Sequence, residues 1–381
     1  MHTKIRKNTL KWFKIAVMKT LSKQKLLNAI SVFQFPGNLE KIEENHVGHI
    51  NDTFVLTFKD GGKSHRYIFQ RVNGTVFPHV EEIMSNIVLV LTYMKRKVAA
   101  AGGDPDVETL SLVPTKDGER YFKDEEGNFF RSYPFIEGSA SYNQATPEIF
   151  GKSGYAFGKF QRDLDGFPAD KLFEVIPHFH DTVKRYNDLE ESIAKAPADR
   201  LEIAKDQIAW ARANKEIANY LLGKDLPLRV THNDTKLNNV LFIEEKDATC
   251  VIDLDTVMPG LSLYDYGDSI RFGANTCVED EEDLSKIKLD LVSFEAYTKG
   301  YLEGTAGTLT KDEIALFPEA GITLTYECGI RFLKDYLDGD IYFNVSKPMH
   351  NLIRAKDQFA LVDDMKKKLP EMRAIVEKLS K

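Results

Sequence analysis

Apolar side chains recur at steps of three and four residues between positions 80 and 94, which predicts a long amphipathic helix. Before this segment, an apolar run at 54–58 is followed by Asp-Gly-Gly and a second run at 66–70, a pattern typical of a β-hairpin. After the helix, turn signals separate short strand-like pieces, which lie at residues 110–113, 120–122 and 129–135. Antiparallel strands with one long helix indicate a small α+β lobe, which we place at residues 39–137.

From residue 138 onward the pattern is mainly helical. A strand-like stretch at 228–255 interrupts it. We therefore expect an α+β protein, with a small antiparallel-sheet lobe at 39–137, a larger and mainly helical lobe at 138–381, and a small-molecule cleft where they meet. The predicted helices lie at residues 147–163, 199–223, 280–304, 311–338 and 350–379.

Charge is distributed unevenly along the 381 residues. The first 39 residues hold eight Lys or Arg and no acid, whereas the remainder holds 43 basic and 58 acidic residues. Because such an acidic body repels nucleic-acid phosphates, we expect no nucleic-acid partner and interpret residues 1–38 as a basic N-terminal extension. No apolar run reaches the roughly 20 residues of a membrane span, so no membrane association is expected. Three scattered cysteines fit a reducing, cytoplasmic compartment.

The densest polar cluster is THNDTKLNNVLF at residues 231–242, which fits His-x-Asp-x-x-x-x-Asn with His232, Asp234 and Asn239. Asp253 follows Asp234 by nineteen residues, after an apolar strand. In protein kinases this spacing supplies a carboxylate for the substrate hydroxyl and oxygen ligands for Mg²⁺. Phosphoryl transfer needs both, because Mg²⁺ prefers carboxylate, amide and phosphate oxygens. The pattern therefore favours a kinase-like site over residues that merely cap turns.

The wider sequence around this cluster resembles the aminoglycoside phosphotransferase and choline kinase superfamily, and specifically its bacterial N-acetylhexosamine 1-kinases. The similarity extends over nearly the whole chain from about residue 40. It is carried by RVTHNDTKLNNVLF, CVIDLDTVMPGLSLYDYGDSIRFGAN, GHINDTFVL, YIFQRVN, HFHDT and ECGIRFLKDYLDGDIYF. The resemblance implies a two-lobed protein kinase-like fold, ATP and Mg²⁺ as cofactors, and a sugar as the acceptor of the phosphoryl group.

The resemblance also implies roles for the residues of the cluster. Asp234 is expected to be the catalytic base, with Asn239 and Asp253 as Mg²⁺ ligands. Asp255 stands beside the metal position and is expected either to contribute to the metal or to support it. Two carboxylates and one imidazole, those of Asp265, Asp268 and His232, are expected to brace the catalytic loop.

For the nucleotide, the resemblance points to Gly48, Asn51 and Thr53 near the phosphates. The kinase Val-Ala-Ile-Lys signature is missing, and YIFQR offers Gln70 and Arg71 instead. Strand alternation places these two on opposite faces, and we predict that Arg71 is the cation for the triphosphate. Its acidic helix partner would be Glu81 or Glu82, a choice that the sequence leaves open. The interlobe hinge is expected at residues 133–137, where Phe135 and Ile136 would receive the adenine through backbone bonds.

For the acceptor sugar, the resemblance points to His49, Phe272, Arg331 and Tyr342 together with Asp234. Aromatic rings can pack on the apolar face of a pyranose, while Arg and His can bond hydroxyl or acetamide oxygens. The pair His178 and His180 has no third or fourth ligand nearby in sequence, so structural histidines are favoured over a metal site.

These observations predict an ATP- and Mg²⁺-dependent kinase that phosphorylates GlcNAc or GalNAc at O1, with the sugar and ATP as its small-molecule partners. The alternatives are a kinase of another small alcohol (a different sugar, choline or an aminoglycoside), a nucleotide-binding pseudokinase, and a nucleic-acid-binding protein that acts through its basic start. The sequence does not choose between GlcNAc and GalNAc, and the oligomeric state stays open.

Overall fold

The computed structural model describes residues 21–45, 51–222, 224–244 and 248–381. Its N-terminal lobe contains a five-stranded antiparallel sheet in the order β1-β2-β3-β5-β4. Three helices accompany this sheet, and the longest of them confirms the amphipathic helix predicted from the apolar spacing. The elements of this lobe are α1 (Lys23–Ser31), β1 (Asn38–Asn45), β2 (Asp52–Asp60), β3 (Lys63–Val72), α2 (Val80–Ala100), α3 (Pro105–Glu108), β4 (Phe122–Lys123) and β5 (Phe129–Pro134).

The predicted hairpin is formed by β2 and β3, whose last pair is Asp60 with Lys63. Gly61 and Gly62 have φ values of 53° and 85°, so both central turn residues adopt the left-handed conformation of a tight hairpin. Residues 110–113, by contrast, form no strand, and the prediction there is wrong. Only one end of this segment reaches the sheet, through a bond of 2.8 Å from Val113 N to Ser132 O.

Helix α1 packs against the face of the sheet that lies opposite α2. Leu26 and Ile30 are buried together with Phe33, and the Phe33 ring meets Phe69 of β3 edge-on at 5.5 Å. The helix begins at Ser22, whose side chain accepts a hydrogen bond from Lys25 N. The structure thus differs from the predicted extension over residues 1–38, because α1 belongs to the core of the N-terminal lobe. Residues 1–20 lie outside the described part of the chain.

The C-terminal lobe is mainly helical, as predicted, but several predicted helices are divided. Pro318 begins a new helix within 311–338, and Pro370 does the same within 350–379, because proline fits the first turn of a helix but not its interior. Its helices are α4 (Pro147–Asp163), α5 (Thr182–Lys195), α6 (Ala198–Ile203), α7 (Lys205–Ala213), α8 (Ser262–Gly273), α9 (Leu291–Thr305), α10 (Lys311–Ala315), α11 (Phe317–Asp338), α12 (His350–Lys367) and α13 (Leu369–Leu379).

Two short hairpin-like pairs carry the polar motifs between the lobes. The first pairs β6 (Arg229–Thr231) with β9 (Met258–Gly260), and the second pairs β7 (Val240–Ile243) with β8 (Ala248–Val251). The catalytic-loop candidates lie between β6 and β7, and the second acidic motif lies between β8 and β9. This arrangement brings both motifs to one edge of the C-terminal lobe.

The helices α4 and α9 approach each other so closely that their contact is made largely by backbone. A Cβ added at Gly300 would lie 2.0 Å from the Gly151 carbonyl oxygen, and one added at Gly304 would lie 2.3 Å from that of Tyr155. Only glycine fits at such distances. None of the helices in the described part of the chain combines the length and hydropathy of a membrane span.

Candidate active site

The loop between β6 and β7 is held by carboxylates from α8. Asp265 accepts hydrogen bonds from the backbone N–H groups of His232 at 2.9 Å and Asn233 at 2.7 Å, while Asp268 accepts from Thr235 N at 3.1 Å. Asn233 has a φ of 64°, a left-handed conformation that turns the chain sharply just before residue 234. The bracing roles predicted for the two α8 carboxylates are confirmed by these contacts.

The His232 side chain is fully buried beneath the loop. Its Nδ1 accepts from Asp234 N at 3.3 Å, and its Nε2 lies 2.8 Å from the Ile252 carbonyl oxygen, which assigns the proton to Nε2. Phe157 and Phe160 meet the ring edge-on. His232 therefore ties the catalytic loop to the strand that leads into Asp253, which confirms its predicted bracing role.

The Asp234 carboxylate is partly exposed, with 24% of its side-chain surface accessible. Its Oδ1 lies 2.8 Å from Lys236 Nζ, and its Oδ2 accepts from Asn239 Nδ2 at 3.2 Å. Burial opposes the charge of Lys236, but the neighbouring Asp234 outweighs it and raises the pKa of Lys236. The loop thus presents an accessible carboxylate beside a lysine that stays cationic.

Asp253 adopts a left-handed conformation, with φ 62° and ψ 59°, immediately before a short 3₁₀ turn. Non-glycine residues in this region are uncommon and concentrate at functional sites. Asp253 is solvent-exposed. The protein around its carboxyl group, together with the charges of Asp255 and Asp234, nevertheless raises the pKa of Asp253 to about 6. An Ile252 N to Asn239 O bond of 2.9 Å holds the two candidate metal ligands side by side.

These oxygen ligands suit Mg²⁺, which proteins commonly bind through one or two carboxylates and the phosphates of a substrate. Burial, and then the neighbouring charges of Asp255 and Asp234, raise the pKa of Asp253 to about 6, and a divalent cation would favour its ionised form. Within the described ranges no group of three or more His, Cys, Asp or Glu side chains is arranged for metal binding.

Both carboxylate oxygens of Asp255 accept hydrogen bonds from the N-terminal lobe. Its Oδ1 accepts from Arg131 Nη1, and its Oδ2 accepts from Asn51 Nδ2 at 2.8 Å. Arg131, only 1% exposed on β5, also donates from Nε to Gln70 Oε1 at 3.0 Å. Burial works against this guanidinium, yet Asp255 keeps the pKa of Arg131 raised. Of the two roles considered for Asp255, the geometry fits support of the site through the Arg131 ion pair.

Arg71, predicted to be the triphosphate cation, points away from this cluster. It pairs with Asp52 through a 2.9 Å bond from Nε, and its strand partner is Phe130, which is buried on the α1 side. Gln70 lies on the opposite face beside Arg131 and donates to Thr53 Oγ1 at 3.2 Å. The alternation was predicted, but the choice of Arg71 was wrong, because Gln70 and Arg131 occupy the face toward Asp255.

Glu81 and Glu82 were considered as the helix partner of the triphosphate cation, then predicted to be Arg71, and neither reaches Arg131, the arginine on the face toward Asp255. Glu81 lies 3.0 Å from Lys123, and Glu82 lies 4.0 Å from His79. The part of α2 that meets Arg131 is Met84, whose sulfur is 3.9 Å from Nη1. An aspartate of the C-terminal lobe, not a helix glutamate, thus supplies the counter-charge.

The predicted hinge contains one backbone donor that is already used. Phe135 N donates to Arg66 O at 2.9 Å, and the Arg66 guanidinium lies over the Phe135 ring at 3.9 Å. The Phe135 N–H is therefore not free for an adenine, and a backbone bond from this residue would have to use its carbonyl oxygen. The Ile136 carbonyl accepts from Ser139 Oγ at 2.7 Å, so Ile136 N is the hinge donor that remains as a candidate.

Arg331 and Tyr342 are two of the residues predicted to contact the acceptor, and we call this pair the acceptor wall. The Arg331 guanidinium lies 5.1 Å from the Phe179 ring and 5.7 Å from the Phe343 ring, and Tyr342 is 61% exposed. Arg271 pairs with Asp268 at 2.8 Å, and its positive charge acts on both Lys236 and Arg331.

Phe272 follows Arg271 and is half-buried near the end of α8. His49, predicted for the acceptor, and Gly48, predicted for the phosphates, lie outside the described residues. His178 is exposed, whereas His180 is buried and bonded through Nδ1 to Glu327 at 2.8 Å. The structural interpretation of the histidine pair therefore fits the contacts of His180.

The sequence profile of the phosphotransferase enzyme family matches residues 41–286, well over half of the chain. The chain belongs to this family. Similar solved structures include an aminoglycoside phosphotransferase from Alicyclobacillus acidocaldarius, which is 15% identical, with a TM-score of 0.60 over 92% of this chain and 96% of that one. A spectinomycin phosphotransferase solved with ADP and spectinomycin is also 15% identical, with a TM-score of 0.55 over 93% of this chain and 100% of that one.

A choline/ethanolamine kinase family protein from Mesorhizobium loti is 14% identical, with a TM-score of 0.51 over 89% of this chain and 93% of that one. At such identities the likeness concerns the fold. It confirms the two-lobed, kinase-like α+β architecture of this phosphotransferase.

Two charged residues of the phosphotransferase site were missed by the sequence analysis. Lys236 stands two residues after Asp234, and its charge next to the candidate catalytic carboxylate was the available signal. Arg131 is an arginine in the middle of the apolar run FFRSYPF, a position where burial needs a partner. That partner, Asp255, is 124 positions away, so local spacing does not reveal it.

A cavity of about 750 Å³ opens elsewhere in this phosphotransferase, next to Lys152 and Lys299. Both lysines have acidic neighbours one helical turn away, Glu148 at 3.5 Å and Glu303 at 3.9 Å. The described residues that line this cavity include none from the catalytic loop. Its volume alone therefore does not mark it as the reaction site.

Proposed function

We propose that this phosphotransferase transfers the γ-phosphoryl group of ATP to the anomeric hydroxyl of an N-acetylhexosamine, GlcNAc or GalNAc, and forms the sugar 1-phosphate. The observation that carries the proposal is the partly exposed Asp234 carboxylate, held between Lys236 and Asn239 on a braced loop and in electrostatic range of Asp253. Residues 39–137 would bind the nucleotide, and residues 138–381 would supply the catalytic loop and the acceptor wall.

Asp234 would accept the proton of the attacking hydroxyl or orient that hydroxyl toward phosphorus. The anomeric hydroxyl is the most acidic hydroxyl on the ring, so a carboxylate is a sufficient base for it. Lys236, 2.8 Å from Asp234 Oδ1, would hold that carboxylate in place and meet the negative charge of the transferring group. In phosphoryl transfer, catalysis rests mainly on such positioning and charge stabilisation.

Mg²⁺ would be held by Asp253 and by the side-chain oxygen of Asn239, with phosphate oxygens completing its coordination. When bound, this ion neutralises phosphate charge during transfer. Arg131, supported by Asp255, would contact the triphosphate from the N-terminal lobe. Asn51, Thr53, the Phe135 carbonyl and the backbone of Ile136 are the remaining nucleotide candidates among the described residues, and Gly48 stays a prediction. The ADP in the solved spectinomycin phosphotransferase supports a nucleotide as the donor.

Arg331 would donate to the acetamide oxygen of the sugar, while Tyr342 and Phe272 would pack along the ring. His49 is retained as a candidate contact from the sequence. A site that hydrogen-bonds an acyl group discriminates against plain hexoses, because its donors are left unpaired when that group is missing. This is the physical reason for proposing an N-acetylated acceptor.

A kinase of another small alcohol is the second candidate, since the structural neighbours include enzymes with unlike acceptors. Aminoglycosides are polycations, and the neighbouring cations Arg331 and Arg185 at the acceptor wall disfavour them. Presence of Asp234, Asn239 and Asp253 in one constellation disfavours a pseudokinase.

An ATP-consumption screen tests the proposal with GlcNAc, GalNAc, glucose, galactose, choline and an aminoglycoside as acceptors. Phosphorus NMR of the product distinguishes O1 from O6, because a 1-phosphate couples to the anomeric proton. We expect turnover of the N-acetylhexosamines and a 1-phosphate product. A product carrying phosphate on C6, or glucose used as well as GlcNAc, would refute the assignment.

A further inference from the structure

Three polar residues form a stripe along α11, at positions 327, 331 and 335. Residues four apart lie on the same helix face, so Glu327, Arg331 and Asp335 follow one another along it. The two carboxylates stand one turn before and one turn after the arginine. Each of them fixes a different segment of the C-terminal lobe.

Glu327, which is 1% exposed, fixes the segment that begins at Phe179. Its Oε1 lies 2.8 Å from His180 Nδ1, and its Oε2 accepts from Thr182 Oγ1 at 2.7 Å. Burial opposes the charge, but His180 and the other donors hold the pKa of Glu327 below its ordinary value. Arg185 adds two bonds of 3.1 Å to the Phe179 carbonyl oxygen. Arg185 therefore fixes the backbone of Phe179, and Glu327 fixes the residues that follow it.

Asp335, 3% exposed, fixes the segment that carries Phe343. Its Oδ1 accepts from the backbone N–H groups of Ile341 at 3.0 Å and Tyr342 at 2.7 Å, and its Oδ2 accepts from that of Phe343 at 2.9 Å. The Phe343 ring also packs on Phe332 of α11, with centroids 4.6 Å apart. One carboxylate thus orders three consecutive residues next to the stripe.

Arg331 lies between the two rings that these segments supply. Its guanidinium carbon is 5.1 Å from the Phe179 centroid and 5.7 Å from the Phe343 centroid, close enough for cation–π attraction. Across the described ranges, the guanidinium makes no hydrogen bond or ion pair with the protein. Its N–H donors are thus not consumed by a carboxylate, although Glu327 lies within electrostatic range.

We propose that Phe179 and Phe343, held by Glu327 and Asp335, are specificity-determining positioning residues that orient Arg331 toward the acyl oxygen of the acceptor. The two aromatic neighbours restrict the guanidinium without satisfying its donors. A planar cation held in this way is prepared for the carbonyl oxygen of the acetamido group, which a plain hexose lacks. This inference rests on the proposed function and extends it to residues that make no direct contact with the sugar.

The experiment compares kcat/KM for GlcNAc and glucose in Phe179→Leu, Phe343→Leu and Asp335→Asn. For the two leucine variants we expect kcat/KM for GlcNAc to fall about tenfold, the value for a lost cation–π contact, chiefly through KM. Asp335→Asn, which keeps both rings but loosens the segment of Phe343, should lower it in the same direction. The value for glucose should change less than twofold. Phe343→Tyr keeps a ring at this position and should retain the discrimination of the unaltered protein.

Asp364→Asn is the matched control for the carboxylate, because Asp364 is buried and accepts from Leu289 N at 2.8 Å but belongs to α12. It should leave the GlcNAc-to-glucose ratio unchanged. The inference is overturned if the leucine variants lose GlcNAc and glucose activity equally, or if Phe343→Tyr loses discrimination as Phe343→Leu does. Failure of the unaltered protein to use any N-acetylhexosamine would instead refute the proposed function, and the two failures are therefore distinct.

Discussion

Replacing Arg131 by Met separates its structural support of Asp255 from its proposed attraction of the triphosphate. Arg131 is 1% exposed and its partner Asp255 is 3% exposed, so the ion pair is almost fully withdrawn from water. Removing one partner of a buried pair leaves the other charge uncompensated, which typically costs about 3–5 kcal/mol. Asp255 would retain only the Asn51 donor and would stand near the negative charge of Asp253.

We expect Arg131→Met to lower the free energy of unfolding by about 3 kcal/mol, measured by urea denaturation. The double variant Arg131→Met, Asp255→Asn should recover most of this loss, because the neutral amide still accepts from Asn51 and no charge stays buried alone. Nucleotide affinity, measured by calorimetry with MgADP, should stay weak in both variants, because each lacks the cation.

Two results would refute this reasoning. If the double variant is as unstable as the single one, the buried charge of Asp255 is not the cause of the destabilisation. If the double variant binds MgADP as the unaltered protein does, Arg131 supports the fold alone and the triphosphate finds its cation elsewhere.

Three further changes test other parts of the structure. Asp234→Asn should lower kcat by about 10²- to 10⁴-fold, as loss of a general base does, while MgADP affinity persists; more than a tenth of the original activity would contradict the assignment. Gly300→Ala should destabilise the protein, because its Cβ would meet a carbonyl oxygen at 2.0 Å, whereas Gly74→Ala, with no atom within 4 Å, should be nearly neutral in thermal unfolding. Phe33→Ala should cost about 3–5 kcal/mol in urea denaturation if α1 belongs to the core, and Phe173→Ala, where 47% of the residue is exposed, should cost much less.

The elements predicted correctly from the sequence are those that depend on neighbours in the chain. The hairpin at Gly61 and Gly62 and the helix over 80–94 follow from local turn chemistry and periodicity. The loop at 232–239 was recognisable because its polar residues are close together in the sequence and follow the His-x-Asp-x-x-x-x-Asn spacing. Asp265 and Asp268 were expected to brace it, and their hydrogen bonds to the loop bear this out.

The features that were predicted wrongly depend on contacts between distant segments. Helix α1 was assigned to an extension because its basic residues hid the apolar spacing of Leu26, Ile30 and Phe33, which is meaningful only against the sheet. The alternation of Gln70 and Arg71 was clear, but which face meets the second lobe depends on tertiary packing. Arg131 needed Asp255, and no local pattern predicts that pair.

The glycine contact between α4 and α9 has a consequence for how this protein tolerates mutation. Gly154 and Gly158 on one helix face Gly300 and Gly304 on the other, and a Cβ at any of the four would lie within 2.5 Å of a carbonyl oxygen. A saturation screen should therefore find these positions as intolerant as the catalytic loop, although they touch no reacting atom. Positions that do not tolerate substitution will therefore include both the catalytic loop and these four glycines. Only activity measured per folded molecule will distinguish the loop positions, which act in the reaction, from the glycine positions, which act in the fold.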